Sequence, residues 1–211
     1  MISDILYSIL QILGSTFSII FLLRCYLVRV KVNLQSQLYV FTCTLTDWVI
    51  SPILRITAFK LNIQLTCLIF AYSISFLLAT FYWVIQPNQE IATFYSAVKV
   101  IEIIALIAVL AFLWILSWIV NLLTIVIIVF AILSFLVHSS PNLSGLYITV
   151  SMLLQPFLIP IKKILDNKIT SVRGSANIDF SPLLLLFAIQ LIAIVNDRVI
   201  VEIQKTFLTI A

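Results

Sequence analysis

Residues 103–137 read IIALIAVLAFLWILSWIVNLLTIVIIVFAILSFLV, an unbroken apolar run without a single charged side chain. At about 1.5 Å per residue it makes a helix of about 52 Å, against a hydrocarbon core of about 30 Å. The run must therefore cross a bilayer. Splitting it into a hairpin would need a tight turn near Ser117 to Asn121, where neither Gly nor Pro stands. A single crossing over Trp118 to Val137 is expected, with the preceding residues tilted or lying along the outer interface. Trp114 and Trp118 would then sit in the outer aromatic belt.

Outward from this run the same pattern recurs. Ile5 to Leu23, Leu65 to Ile85 and Phe180 to Val195 are free of charge, and each is about one crossing long. The whole chain is 63% hydrophobic and only 9% charged, where a soluble domain carries roughly a quarter charged. The runs are continuously apolar. A β-barrel strand must alternate to show a polar lumen face, so only helices fit. The first run has no preceding Lys or Arg and no small-x-small cleavage site, so it reads as an anchor that is kept. Cys25, Cys43 and Cys67 are odd in number and lack Cys-x-x-Cys spacing, and so read as reduced apolar residues.

Charge is concentrated in two connectors. Between Arg24 and Lys60, five basic residues face Asp47 alone; between His138 and Asp179, four basic residues face Asp166 and Asp179. Basic connectors stay on the cytoplasmic side, so both are expected there, and an even number of spans must join them. This favours four crossings over five, near 5–28, 63–85, 108–137 and 181–203, with both termini outside. The setting is the inner (cytoplasmic) membrane, multi-pass.

The two connectors can be laid over each other. Thr46-Asp47-Trp48 leads to Pro52 and Arg55, then Asn62; Gln155-Pro156 leads to Pro160 and Lys162-Lys163, then Asn177-Ile178-Asp179. A short insert, Thr170 to Ala176, absorbs the difference in spacing. Two tandem repeats follow, 1–90 and 91–211. Local physics accounts for part of this. Ser181-Pro182 is an N-cap with proline at the first helical position, and Thr66 can cap the matching helix. Pro52 and Pro160 should end the helical stretches before them. Gln37 to Ile50 and Leu143 to Leu158 are too short and polar for further spans. Gln37, Thr44, Asp47 and Ser51 fall on one helical stripe, and Ser144, Thr149, Ser151 and Gln155 do so more loosely. Both segments are expected to be amphipathic helices on the inner face or short re-entrant pieces, with anionic head groups as partners of the basic clusters.

The leader Leu22-Leu23-Arg24 with Tyr26, the segment Thr46-Asp47-Trp48 to Pro52, and above all Pro156 to Lys163 with Ile178-Asp179-Phe180-Ser181-Pro182 resemble the YggT family of small bacterial membrane proteins. The resemblance covers nearly the whole chain and implies two such repeats. It departs from the family pattern at Leu54, Ala58 and Gln64 in the first repeat. The family is associated with membrane-complex assembly, cytochrome maturation and organisation of the nucleoid or division, and with osmotic or potassium handling. These roles are implied by the resemblance alone.

Catalysis needs converging polar groups, and few exist. His138 has no fixed acidic partner, Gly14, Gly145 and Gly174 are isolated, and no metalloprotease or nucleophile-elbow motif occurs. No enzyme, cofactor or metal site is expected, and no nucleic acid as a partner. Asp179 serves either as an ion ligand or, two residues before a cap, as a helix-dipole group. Asp47 can pair with Arg24 or Arg55, while Arg24 can instead snorkel to the head groups. Lys162 and Lys163 read as lipid-facing charge. Ala71, Ser75 and Ala79, and Gly14 with Ser18, are spaced for close helix packing within the chain, and a homo-oligomer is compatible with so small a bundle. The all-α membrane protein so described is expected to be a non-enzymatic scaffold or assembly factor with unidentified membrane-protein partners. The competing expectation is a small ion or osmolyte conduit lined by Thr46, Asp47 and Asp179.

Overall fold

The computed structural model describes residues 2–32, 35–56, 62–85, 97–136, 143–168 and 181–210, and leaves some side chains near helix ends undescribed. It contains α1 (Ile2–Val30), α2 (Gln37–Ile56), α3 (Ile63–Ile85), α4 (Ala97–Leu136), α5 (Ser144–Lys168) and α6 (Ser181–Ile210), with no strand among the described residues. The insert at 170–176, His138 and Asp179 lie outside the described residues.

Helix α1 packs on α3 in the opposite sense: Tyr7 meets Tyr82, Gly14 meets Leu78 and Phe21 stacks on Phe70. Small residues make this approach close. A Cβ added at Gly14 would lie 2.7 Å from Leu78 Cδ1, and Ser18, Ala71, Ser75 and Ala79 are fully buried. The expected small-residue faces thus pack within the chain. Ser75 also turns to α4, donating its hydroxyl to the Ala111 carbonyl at 2.7 Å, which satisfies a polar group that lipid could not. In the other half α6 runs back along α4, with Gln190 reaching Thr124 and Asn196 donating to the Leu113 carbonyl at 3.2 Å.

One continuous helix, α4, carries the run that opened the sequence, so the hairpin is excluded. Trp114 and Trp118 are not in an aromatic belt. They are 7% and 9% exposed, inside the cluster that joins α1, α3 and α4, with Trp114 edge-on to Tyr82 at 6.1 Å. The reason is packing: Trp114 meets Tyr82 of α3, and both indoles join the apolar core shared by α1, α3 and α4.

Five helices are long and apolar enough to cross a membrane, one more than the four expected; the addition is Ser144–Ile161 of α5. The prolines explain the difference. Pro52 lies inside α2, and Pro156 and Pro160 lie inside α5, so none of them ends a helix. An internal proline removes one ladder bond, which neighbouring contacts can offset in a membrane helix. Thr66 also sits inside its helix, not at the cap. Its backbone N–H and hydroxyl both go to the carbonyl of Asn62, the residue before α3.

The end of α1 is closed by a Schellman motif. Val32 N–H bonds the Leu27 carbonyl, Lys31 N–H bonds the Val28 carbonyl, and Lys31 takes the left-handed conformation with φ 56°. The accompanying apolar contact is Leu27 with Val32, both buried in a cluster that includes Leu153 of α5. That cluster joins the two halves.

Candidate functional site

Helix α2 presents Thr42, Thr46 and Ile50, four residues apart, to the bundle, and all three are buried. Its outer face carries Gln37, Thr44, Asp47 and Trp48. Opposite Thr46 stands Arg24 of α1, six residues before the helix ends. The sequence alone allows Arg24 to reach the head groups; the structure instead buries it to 5% exposure. One guanidinium nitrogen donates to Thr46 Oγ1, and another lies 2.7 Å from Asp47 Oδ1. Thr46 donates its own hydroxyl hydrogen to the Thr42 carbonyl at 2.7 Å, so its oxygen lone pairs are free to accept from the arginine. Arg24 Nε has no partner. The Asp47 side chain is 55% exposed, so the ion pair reaches from the bundle interior to its surface.

Tyr39 and Cys43 lie one turn apart on the same helix and share a side-chain hydrogen bond. Burial first, and that bond second, hold the phenol above its ordinary pKa, while Arg24 pulls the other way. All three cysteines are free thiols, Cys67 buried and the others half-buried. Among the described residues no group of three His, Cys, Asp or Glu could hold a metal ion.

The structure thus brings together three of the residues singled out from sequence, Arg24, Thr46 and Asp47. Trp48 points away at 68% exposure, its indole N–H satisfied by the Leu45 carbonyl at 2.7 Å. Pro52 is exposed; Arg55 lies in the last turn of α2, its side chain not described. In the second half Pro156, Pro160 and Lys163 are exposed, Lys162 is in α5 with its side chain undescribed, and Ser181 and Pro182 are the first two residues of α6. The second connector shows no matching polar stripe, because Thr149 is buried while Ser144 and Gln155 are exposed.

Two further polar residues are buried with an unpaired oxygen, and of these Asn196 carries no sequence signal while Ser18 is marked only by its small size. Asn196 is 4% exposed with Oδ1 unpaired, and Ser18 Oγ is likewise buried and unpaired. Asn196 stands beside Asp197 and Arg198, where the sequence reads as the end of a span. Helix α6 continues through them to Ile210, both charges exposed.

No curated protein and no solved structure matches the chain. A family model, CCB3/YggT, matches residues 109–200, from the middle of α4 into α6. The match takes in Pro156, Pro160, Lys162, Lys163, Asp179, Ser181 and Pro182 and leaves out the arginine site of the first half. Over these residues, less than half of its length, the chain is similar to the CCB3/YggT family.

Proposed function

We propose that this multi-pass membrane protein is a non-catalytic scaffold or assembly factor for a membrane complex, built from two tandem repeats, 1–90 and 91–211, and resident in the inner membrane. The observation that carries this reading is the use to which the polar groups are put. Thr46 and Asp47, the side chains available to line a path, are tied to Arg24 and hold α2 against α1. The space among α1, α3 and α4 is filled by Phe21, Leu22, Leu78, Leu110 and Trp114. A conduit needs polar groups converging on a path, with helices broken around it. Here the polar groups point to one another.

Purified protein in liposomes is expected to give no ion or osmolyte flux above empty vesicles. Cross-linking in native membranes should return the same protein neighbours from repeat to repeat of the experiment. Flux that Asp47→Ala abolishes would establish the conduit in its place.

A further inference from the structure

Helix α2 is not among the helices long and apolar enough to cross a membrane, yet its outer face carries Val40, Phe41 and Trp48 at 51%, 59% and 68% exposure. Phe41 and Trp48 are seven residues apart and so share one side of the helix; Gln37, Thr44 and Asp47 form the adjoining strip. Two observations say what covers the aromatic strip. The first is Trp48 itself. An indole at an interface ordinarily keeps its N–H for water or head groups, but here that N–H is bonded within the helix to the Leu45 carbonyl, leaving no unsatisfied donor. The second is level. Asp47 is paired with Arg24, about 9 Å of helix before Val30, where the candidate span of α1 ends. Trp48 therefore stands beside a stretch of α1 that is itself read as lipid-embedded.

We propose that the Phe41–Trp48 face of α2 is a lipid-contact surface whose occupant is the acyl chains of the leaflet at the α1 C-terminal end. Arg24 is what allows it: by neutralising Asp47 it removes the charge that would hold this helix up in water. The proposal stands whether or not the protein is a scaffold.

The test compares wild type with Trp48→Phe, each reconstituted in phosphatidylcholine/phosphatidylglycerol vesicles with plain or brominated acyl chains. The difference spectrum isolates Trp48 from the other three tryptophans. That component should lose most of its intensity in brominated vesicles and respond little to acrylamide. In Arg24→Gln it should shift to the red and open to acrylamide; an unchanged depth there removes the role given to Arg24. Quenching by acrylamide without a bromine effect would show a water-facing helix. Quenching by neither would show a protein cover, a second copy included. Both outcomes overturn the proposal. Should Trp48→Phe fail to fold, Phe41→Trp adds a reporter on the same strip, and indifference to bromine there overturns it equally.

Discussion

Arg24 joins two helices through charge, and removing it leaves the Asp47 carboxylate and the Thr46 hydroxyl without their donor. Breaking a buried pair from one side costs about 3–5 kcal/mol. The Asp47 side chain is only half buried by the protein, and an exposed pair contributes less than a buried one, so a loss nearer about 2 kcal/mol is expected for Arg24→Leu. Thermal unfolding in detergent measures it, and a wild-type midpoint in Arg24→Leu would remove the arginine from the list of structural determinants. Lys31 offers the opposite sign. It occupies a left-handed position that glycine takes without strain, so Lys31→Gly should stabilise by about 1 kcal/mol. A lowered midpoint would mean that the lysine side chain contributes more than its backbone conformation costs. The pairing of Asp47 with either Arg24 or Arg55 could be read from sequence, because one acid among basic residues has few partners. The choice between them could not, since it depends on which face of α2 meets α1. Burial of Arg24 was equally hidden, because an arginine near a span end ordinarily has a route to water.

Between elements, contact is set by small residues. The α1–α3 seam closes at Gly14 and at the buried Ser18, Ala71, Ser75 and Ala79. Gly14→Leu would overfill it and should cost about 1–3 kcal/mol, while Gly14→Ala meets only the flexible end of Leu78 and should cost less. Ser75→Ala should lose about 0.6 kcal/mol, the usual worth of an interhelical hydrogen bond in a membrane. The ranking of the three melting points is the check, and a Gly14→Leu protein as stable as Ser75→Ala would contradict the close seam. Four-residue spacing made these faces legible in the sequence. The prolines misled because the sequence rule for proline describes helices in water, where a broken ladder bond lets the chain turn away. Inside packed helices the neighbours hold it. Circular dichroism of Pro52→Ala and Pro156→Ala is therefore expected to show no gain in helix content.

For the molecule as a whole, the open quantity is the number of crossings. Tyr147 stacks on Phe130 at 5.4 Å, and Leu154 and Leu158 share a cluster with Val120 and Ile127, so α5 runs back along α4. Helix α6 also runs back along α4, so α5 and α6 point the same way. The chain between them, residues 169–180, carries Arg173 and Asp179 and no apolar run, and hydrocarbon cannot be its path. The starts of α5 and α6 lie towards the same end of α4 and are therefore expected on one face of the membrane. Single cysteines at Gly145 and Asp179, in a background lacking the three native thiols, should both react with an impermeant reagent from the same side. A reporter fused near Glu90, which lies outside the described residues, should read as external. Reaction from opposite sides would make α5 a fifth span.

The α1–α3 seam has a consequence for how such a chain is made. Its contacts, Gly14 on Leu78 and Phe21 on Phe70, lie entirely within the first 85 residues. A ribosome delivering the chain to an insertion machinery would thus release a self-sufficient wedge before the rest is translated. The later half then needs only to bring its Ala111 carbonyl to the Ser75 hydroxyl and its Leu153 carbonyl to the phenol of Tyr26. Two separately expressed fragments, divided after Ile85, should accordingly find each other again in the bilayer.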